Sequence, residues 1–418
     1  MSFFDPLAND TILEIALSLS LKNIIALCST SRRFNQVICK DEFFWRQKYI
    51  RDFSDDLIDY RGSWQELYLR AGTVWACGSN IYGQLGLGIS DEEEGRLVTQ
   101  FTKIPNFRAR KVSAGKTHTI FIDVENDVWV CGSNEGEQLG LVDTKKRYTP
   151  TKIPNLKAKE ISAGYNYTLI IDLENNVWIC RSNDQGQLGI GDQYLTVQIP
   201  ELKARQVSGG DEYTLIIDLE NNVWVSGNNI NGQLGLGDRQ DREYLTKIPN
   251  FRAKQVSAGI YHTVIIDLEN NIWVSGSNHF GQLGLGDRQD RYRLTKVPNL
   301  KAQQVSTGKA HTVIIDLENN VWSWGSNITG QLGLVDKRPK YRPTQIPNLQ
   351  AHQVSAGDFH SLFLDLDYNL WGSGSNTSGQ LGHNIVRGVA NNHFGLIRLT
   401  NIKVRQISAG DKYTMIIE

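Results

Sequence analysis

The sequence predicts a mainly β protein, in which a seven-bladed β-propeller follows a small domain of three short helices. A tryptophan in a strand pattern, a Ser-x-Gly triplet and a Gln-Leu-Gly triplet each recur seven times after about residue 73. Each repeat of roughly 50 residues contains about four short strand patterns, which is typical of one propeller blade. The first 70 residues lack these motifs and show helical spacing, so we divide the chain into residues 1–70 and 71–418.

The composition is that of a folded protein with almost no net charge. The 418 residues include 44 Lys and Arg against 45 Asp and Glu, and 40% are hydrophobic. This balance argues against a globally basic nucleic-acid-binding protein and against wholesale disorder. No apolar run approaches the roughly 18 residues of a membrane-spanning helix. Five cysteines, an odd number, argue against a disulfide framework, so we expect a reducing, intracellular location in the cytoplasm or nucleus.

One repeat illustrates the predicted strands. From Ala253 it reads AKQVSAGIYHTVIIDLENNIWVSGSNHFGQLGLGDRQDRYRLTKVPNLK. Gln255–Ser257 is a short β-like stretch, and His262–Asp267 is the nearly continuous β-branched run of a buried strand. Asn271–Ser275 is a further strand and carries the repeat tryptophan. The glycines between Gly276 and Gly286 indicate a tight loop.

The phase of the repeats predicts how the ring closes. The array begins in mid-unit with the strand Val74–Gly78 and ends in mid-unit with the strand Tyr413–Glu418. In every internal repeat a strand of the second kind is followed by one of the first kind. We therefore expect these two terminal strands to pair, which completes one blade and protects both edges.

The repeat resembles a known family, the regulator of chromosome condensation repeat. The matching residues in this unit are the Ser257–Gly259 triplet, His262, Trp273 and the glycine-rich loop Gly276–Gly286. The resemblance implies a seven-bladed propeller. The family includes exchange factors for Ran-like GTPases.

The N-terminal segment predicts three short helices. Asp10 is a candidate cap for a helix from Thr11 to about Leu19, and two further helices are predicted at Leu21–Cys28 and Arg32–Cys39. A helical core this small is marginal on its own. A plain helical cap on the propeller would account for this apolar spacing.

The same segment also resembles an F-box, although Ala8 and Ser20 stand where that family usually has prolines. The resemblance rests mainly on Ser31–Phe34 and on Trp45, which a plain cap would not need. It implies docking on a Skp-type adaptor that belongs to a cullin–RING ubiquitin ligase. The side chains expected to contact the adaptor are Leu7, Ile12, Ile15, Leu19, Leu21 and Ile24.

Residues that recur in equivalent positions are interpreted as parts of the scaffold. Cys77, Cys131 and Cys180 share one strand position, which serine fills in other repeats, so we expect packing there and no metal ligation. The repeat histidines alternate with tyrosines, which favours a shared hydrogen-bonding role; they are His118, His262, His311 and His360. The aspartate of each IIDLENN hairpin is expected to stabilise the turn. No catalytic residue, metal or cofactor is predicted.

Recognition is expected where the repeats differ. The variable positions after Ser-x-Gly include the pairs Asp358-Phe359 and Asp411-Lys412, and their mixed character is typical of a binding surface. The candidate target-binding residues at these positions are Lys116, Tyr165, Asp211, Tyr261, Lys309, Phe359 and Lys412. Basic loops after Gln-Leu-Gly, with Arg242, Arg291 and Arg338, would form an arc for an acidic partner, unless they are simply solvated loops.

These observations favour a non-catalytic protein that recruits targets to a Skp–cullin–F-box ubiquitin ligase. The F-box would bind the adaptor, and the propeller would bind a target protein that the sequence does not identify. The alternatives are a guanine-nucleotide exchange factor for a Ran-like GTPase and a chromatin-binding propeller. The Asn-, Ile- and Lys-rich repeats are typical of low-GC genomes, which adds the host cell of a large DNA virus to the expected locations.

Overall fold

The fold comes from a computed structural model that describes residues 8–53, 62–90, 97–180, 196–385 and 391–418. Within these ranges helices occupy the N-terminal part, and antiparallel strands occupy the chain from Thr73 onward. No helix of the described residues is long and apolar enough to cross a membrane. Leu7, a predicted adaptor contact, lies outside the described residues.

The N-terminal helices form a domain with its own core. They are α1 (Asn9–Ser18), α2 (Leu21–Thr30), α3 (Arg32–Phe34, continuing as a π-helical segment Asn35–Cys39), α4 (Glu42–Phe53) and α5 (Trp64–Arg70). Helices α4 and α5, which were not predicted, bring Trp45, Tyr49 and Tyr68 into this core. Asp10 is not a cap, because the N-cap position of α1 belongs to Ala8. Ser20 does cap α2, accepting a hydrogen bond from the Asn23 amide at 3.4 Å.

The strands pair as successive antiparallel groups of four, and some long strands serve two groups. The first three groups contain β3 (Lys111–Ala114), β4 (His118–Ile122), β5 (Asp127–Gly132), β6 (Arg147–Ala163), β7 (Thr168–Asp172), β8 (Asn176–Cys180), β9 (Val197–Gly209), β10 (Tyr213–Asp218), β11 (Asn222–Gly227) and β12 (Arg242–Ala258). The next three contain the end of β12 with β13 (His262–Asp267), β14 (Asn271–Gly276), β15 (Arg291–Lys301), β16 (Gln304–Thr307), β17 (His311–Ile315), β18 (Asn320–Gly325), β19 (Lys340–Ala356), β20 (His360–Asp365), β21 (Leu370–Ser375) and β22 (Asn392–Arg398).

The remaining group joins the two ends of the strand region. It consists of β1 (Thr73–Ser79), β2 (Leu97–Arg108), β23 (Gln406–Ala409) and β24 (Tyr413–Ile417), in the order β2-β1-β24-β23. Val74 lies opposite Ile417, and Gly78 lies opposite Tyr413. The predicted pairing of the first and last strands is therefore confirmed. This pairing leaves neither terminal strand as a free edge.

Some predicted inner strands are too short because each is the end of a longer strand that pairs in two successive groups. Gln255–Ser257 is the end of β12, whose first part pairs with β11 and whose last part pairs with β13. The chain turns from one group to the next at Pro249-Asn250, where Asn250 has a φ of 55°. Asparagine tolerates this left-handed conformation better than most residues, so the bend forms without breaking the strand.

The aspartate of each hairpin accepts hydrogen bonds from the turn and from the repeat tryptophan. Asp267 Oδ1 accepts hydrogen bonds from the backbone amides of Glu269 (2.9 Å) and Asn271 (2.8 Å). Its other oxygen accepts one from the indole of Trp273 at 2.9 Å. Burial alone would raise the pKa of Asp267, but these hydrogen bonds outweigh it and lower the pKa. The predicted turn role is confirmed, and Glu418 takes the same position beneath Trp75 in the group that joins the two ends.

Neighbouring groups are connected through their inner strands by a ring of serines. In each case a serine hydroxyl oxygen accepts a hydrogen bond of 2.9–3.1 Å from a backbone amide of the next inner strand. The contacts run from Ser113 to Ala163, Ser162 to Gly209, Ser208 to Ala258, Ser257 to Thr307, Ser306 to Ala356, Ser355 to Ala409 and Ser408 to Ala114. The last contact returns to the first strand, so the cycle is closed.

Candidate functional site

A cavity of about 180 Å³ lies where the Ser-x-Gly loops of all groups converge. We call it the axial cavity, and the surface around its mouth the axial face. The glycines of the triplets line it: Gly115, Gly164, Gly210, Gly259, Gly308, Gly357 and Gly410. A side chain is excluded at these positions; a Cβ atom on Gly357 would lie 2.3 Å from the Gly410 carbonyl oxygen. The glycines therefore permit the close approach of neighbouring loops that shapes the cavity.

Two carboxyl groups lie together at the axial cavity. Asp358 and Asp411 come from neighbouring loops, and their side chains hydrogen-bond to each other. Burial, together with the Asp411 carboxylate, raises the pKa of Asp358 far above its usual range. Asp211, on another loop of the cavity, adds to this effect, and Lys309 opposes it. The pair therefore holds a proton at neutral pH that a cationic partner group would displace.

Two lysines of the axial face stack on aromatic rings of the next loop. The Lys116 ammonium lies 3.5 Å from the centre of the Tyr165 ring and donates a hydrogen bond to its hydroxyl. The Lys309 ammonium lies 5.1 Å from the centre of the Phe359 ring. Such contacts restrain the lysines without neutralising their charge.

The predicted variable positions thus meet on one face. Lys116, Tyr165 and Asp211 line the axial cavity. Lys309 and Phe359 form the stacked pair beside it, and Tyr261 and Lys412 are exposed on the adjoining loops. The sequence analysis selected Phe359 and Lys412 but not the aspartate that precedes each of them. Their contact joins loops that are 53 residues apart in the chain, so no local pattern indicates it.

The three arginines selected for the basic arc each form an ion pair, and their binding of an acidic partner stays a prediction. Arg242 forms an ion pair of 2.6 Å with Asp238, and Arg291 forms an equivalent pair with Asp287. Arg338 pairs with Asp336 at 2.9 Å. Each cation is thus matched by an aspartate of its own loop, two or four residues earlier in the chain, which closes the loop and cancels the charge locally.

The repeat histidines connect neighbouring groups and are not arranged for a metal. In His262 the Nε2 atom lies 3.0 Å from the Thr312 hydroxyl, which donates its own hydrogen to the Gln282 carbonyl at 2.9 Å. The hydroxyl must therefore accept from Nε2–H, which fixes the tautomer. Tyrosines replace histidine at three equivalent positions; the Tyr213 hydroxyl donates to the His262 carbonyl at 2.7 Å. The predicted shared hydrogen-bonding role is confirmed, and the described residues contain no cluster suited to a metal ion.

The comparisons with known proteins agree with this repeat geometry. A family model described as Regulator of chromosome condensation (RCC1) repeat matches residues 71–122, 125–171, 220–266, 269–315 and 318–364, more than half of the chain. A second model of the same repeat extends the match to residue 380. The chain belongs to the RCC1 repeat family.

Solved RCC1-type propellers share the fold. Prp20p from Saccharomyces cerevisiae superposes with a TM-score of 0.74 at 19% identity, over 84% of this chain and 92% of Prp20p. Human WBSCR16 superposes with a TM-score of 0.73 at 19% identity, over 83% of this chain and 99% of that one. At this identity the likeness shows the propeller fold alone.

Curated relatives match only over short stretches. The probable E3 ubiquitin-protein ligase HERC4 of Rattus norvegicus is 35% identical over 83 residues, which are 19% of this chain and 8% of that protein. Protein pim1 of Schizosaccharomyces pombe is 32% identical over 75 residues, which are 17% of this chain and 14% of that protein. The matched stretches cover a small part of this chain and of each relative.

The adaptor contacts expected on the helical domain need correction. Ile12 (2% exposed) and Ile24 (0% exposed) are in the core of the domain, because α4 and α5 cover the face that the helical spacing identified. Ile15, Leu19 and Leu21 are half-buried. Three large apolar side chains of this domain that the sequence analysis did not select are open to solvent: Ile25 (52% exposed), Phe43 (65% exposed) and Leu69 (42% exposed). We call the two most exposed of them, Ile25 and Phe43, the helical patch.

The cysteines fall into two sets. Cys77, Cys131 and Cys180 are buried beside backbone or hydroxyl oxygens of the strands, as expected for packing, and burial raises the pKa of Cys180 to about 11. Cys28 and Cys39, in contrast, are joined by a disulfide bond within the helical domain. The sequence argument from an odd cysteine count did not detect this single bond, since it addressed only a multi-disulfide framework.

The buried histidines should make stability depend on pH. Burial lowers the pKa of His262 to about 3, while an unfolded histidine has a pKa of about 6.5. Below about pH 6.5 the histidine therefore binds a proton in the unfolded chain but stays neutral in the folded chain. The free energy of unfolding consequently falls as the pH falls. From pH 7 to pH 5 we expect a loss of about 2 kcal/mol for each such histidine.

Reciprocal exchange of histidine and tyrosine tests this expectation by urea unfolding at pH 7 and pH 5. His262→Tyr, which copies the residue used at Tyr213, should lessen the pH-dependent loss by about 2 kcal/mol. Tyr213→His should increase it by a similar amount. Equal losses in both variants and in the wild type would show that these histidines do not carry the pH dependence.

Proposed function

We propose that this protein is a protein-binding scaffold, with no covalent chemistry of its own, whose closed ring of seven blades presents the axial face to a partner protein. The observation that supports this most directly is the axial cavity, where charged and aromatic side chains from different repeats converge. The cycle of serine contacts supports the blade count, because each contact connects one inner strand to the next and the last returns to the first.

A Ran-like GTPase is the partner class that the comparisons favour for the axial face, with chromatin as the related alternative. Prp20p, which matches over nearly its whole length, is a structure studied for binding to Gsp1p and histones. The relatives named as ligases match over 8% or 9% of their length. The carboxyl pair of Asp358 and Asp411 is suited to a cationic side chain of such a partner.

The test is nucleotide release from a Ran-like GTPase, followed with a fluorescent guanine nucleotide. The wild type should accelerate release at least tenfold, and Asp358→Asn with Asp411→Asn should remove most of this effect, because hydrogen bonds to a charged group contribute about 1.5–3 kcal/mol each. Glu220→Gln, at an exposed hairpin tip away from the axial cavity, is the matched control and should behave as wild type.

If the wild type neither binds the GTPase at micromolar concentration nor accelerates release, the exchange-factor proposal is wrong. Binding of histone peptides in place of the GTPase, lost in the same double variant, would favour the chromatin alternative.

A second candidate function is target recruitment to a Skp–cullin–F-box ubiquitin ligase, with the helical patch on the adaptor. The supporting observation is that Ile25 and Phe43 are large, apolar and open to solvent on a domain that already has a complete core. Together on an adaptor, the two side chains would bury apolar surface that now contacts water. The two candidate functions use different surfaces and can be tested separately.

Adaptor binding can be tested without disturbing the helical core. Burying one such side chain is worth roughly 1.5–3 kcal/mol, so Ile25→Asp with Phe43→Asp should weaken binding of a purified Skp-type adaptor by at least 100-fold. Ile230→Asp, an exposed apolar residue of the propeller, is the control and should bind as wild type. Circular dichroism checks the fold of each variant. A wild-type chain that fails to bind any Skp-type adaptor at micromolar concentration would exclude the ligase function.

A further inference from the structure

A continuous line of polar contacts runs from helix α1 to the propeller. The Lys48 ammonium on α4 donates to the Leu17 carbonyl on α1 at 3.1 Å and forms an ion pair of 2.8 Å with Asp52. Asp52 accepts a hydrogen bond of 2.5 Å from the Tyr68 hydroxyl on α5. The Tyr68 ring in turn lies against the guanidinium of Arg108, at the end of strand β2. The line therefore crosses from the helical domain into the propeller at Arg108.

Arg108 contacts the C-terminal end of α5 in three ways. Its Nε atom donates to the Ala71 carbonyl at 2.9 Å, and its Nη2 atom donates to the Tyr68 carbonyl at 2.5 Å. Its guanidinium lies 4.9 Å from the centre of the Tyr68 ring and 5.8 Å from that of Phe53. A cation at the C-terminus of a helix is favoured because carbonyl oxygens without helical partners point toward it.

Arg108 is half-buried at this contact. Burial lowers the pKa of Arg108, and the nearby Tyr68 and Asp52 oppose that shift. Loss of the guanidinium would leave the Tyr68 and Ala71 carbonyl oxygens without this donor, which costs more than losing an ordinary exposed contact. The geometry therefore favours one arrangement of the domains over any displaced one.

Two further contacts lie near the first. Arg405, just before β23, places its guanidinium 4.8 Å from the centre of the Tyr49 ring on α4. The Gly72 amide donates to the Glu418 carbonyl at 2.7 Å, so the link between α5 and β1 is bonded to the last strand. The helical domain is thus held by both ends of the propeller chain.

These contacts lie on the opposite face of the propeller from the axial cavity. Arg108 lies before the start of inner strand β3, whereas Ala114 and Gly115, which line the axial cavity, lie at its end. The helical domain therefore leaves the axial face open. Partners on the two surfaces would not compete for space.

We propose that Arg108 is a positioning residue that holds the helical domain in one orientation on the propeller, so that the helical patch and the axial face have a fixed spatial relation. The value of that relation for bringing two partners together rests on the proposed scaffold function. The fixed orientation itself can be measured without any partner.

The experiment measures the distance between two spin labels in the full chain by pulsed electron paramagnetic resonance. Labels are placed with Lys22→Cys on α2 and Glu220→Cys on the β10–β11 hairpin, both exposed positions. The native cysteines do not compete, since three are buried and two are disulfide-bonded. With Arg108 present we expect one narrow distance distribution, and Arg108→Gln should at least double its width. Arg108→Lys, which keeps the charge but loses the paired geometry, should give an intermediate width.

Arg110→Gln is the matched control, because Arg110 bonds Asn126 and the Ala158 carbonyl within the propeller. Its distribution should stay as narrow as that of the wild type. A broad distribution in the wild type, or an unchanged narrow one in Arg108→Gln, would overturn the proposal. If Arg108→Gln does not fold, Arg108→Lys decides the matter, and a distribution as narrow as that of the wild type overturns the role of Arg108. Failure of GTPase or adaptor binding would count against the proposed functions and would leave this orientation unaffected.

Discussion

The structure depends on one repeated interaction, the hydrogen bond from a backbone amide of an inner strand to the serine hydroxyl of the strand before it. This bond sets the spacing between neighbouring groups. The Ser-x-Gly glycines can then approach each other closely enough to shape the axial cavity, since a Cβ atom would collide with the next loop or, at Gly164, with Tyr167 of its own loop. The cycle closes only because β24 pairs with β1, which brings Ser408 beside Ala114. A propeller closed in this way has no free inner edge.

The repeats supplied most of the information that the sequence holds about this fold. Tryptophan, glycine and Gln-Leu-Gly spacing predicted the strands, and the interrupted first and last units predicted their pairing. Helical spacing identified an apolar face at Ile12 and Ile24, but spacing does not reveal what covers such a face, and here α4 and α5 cover it. Arg242 and Arg291 were counted as surface charge because ion pairs inside one loop are not visible in a charge count. Asp358 contacts Asp411 only because the closed ring of strand groups brings their two loops together, which no local sequence pattern indicates.

Repetition also distinguishes the residues that hold the fold together from the candidate binding residues. A residue that recurs in most groups, such as the hairpin aspartate or the histidine after Ser-x-Gly, has a partner within the fold. The residues that differ between groups converge on the axial face, and the helical patch lies on a domain anchored to the opposite face. The molecule thus has two unlike surfaces held by one closed ring. Such an arrangement supports the proposal that this protein brings partners together.

The most direct test of the central claim is native-state hydrogen exchange at the amides that donate to the serine ring. They belong to Ala114, Ala163, Gly209, Ala258, Thr307, Ala356 and Ala409. A closed ring opens as one unit, so all of these amides should share one free energy of opening, equal to that of global unfolding. Exchange at Ala114 that is at least tenfold faster than at the others would show that the ring is open at its junction, and would contradict this account.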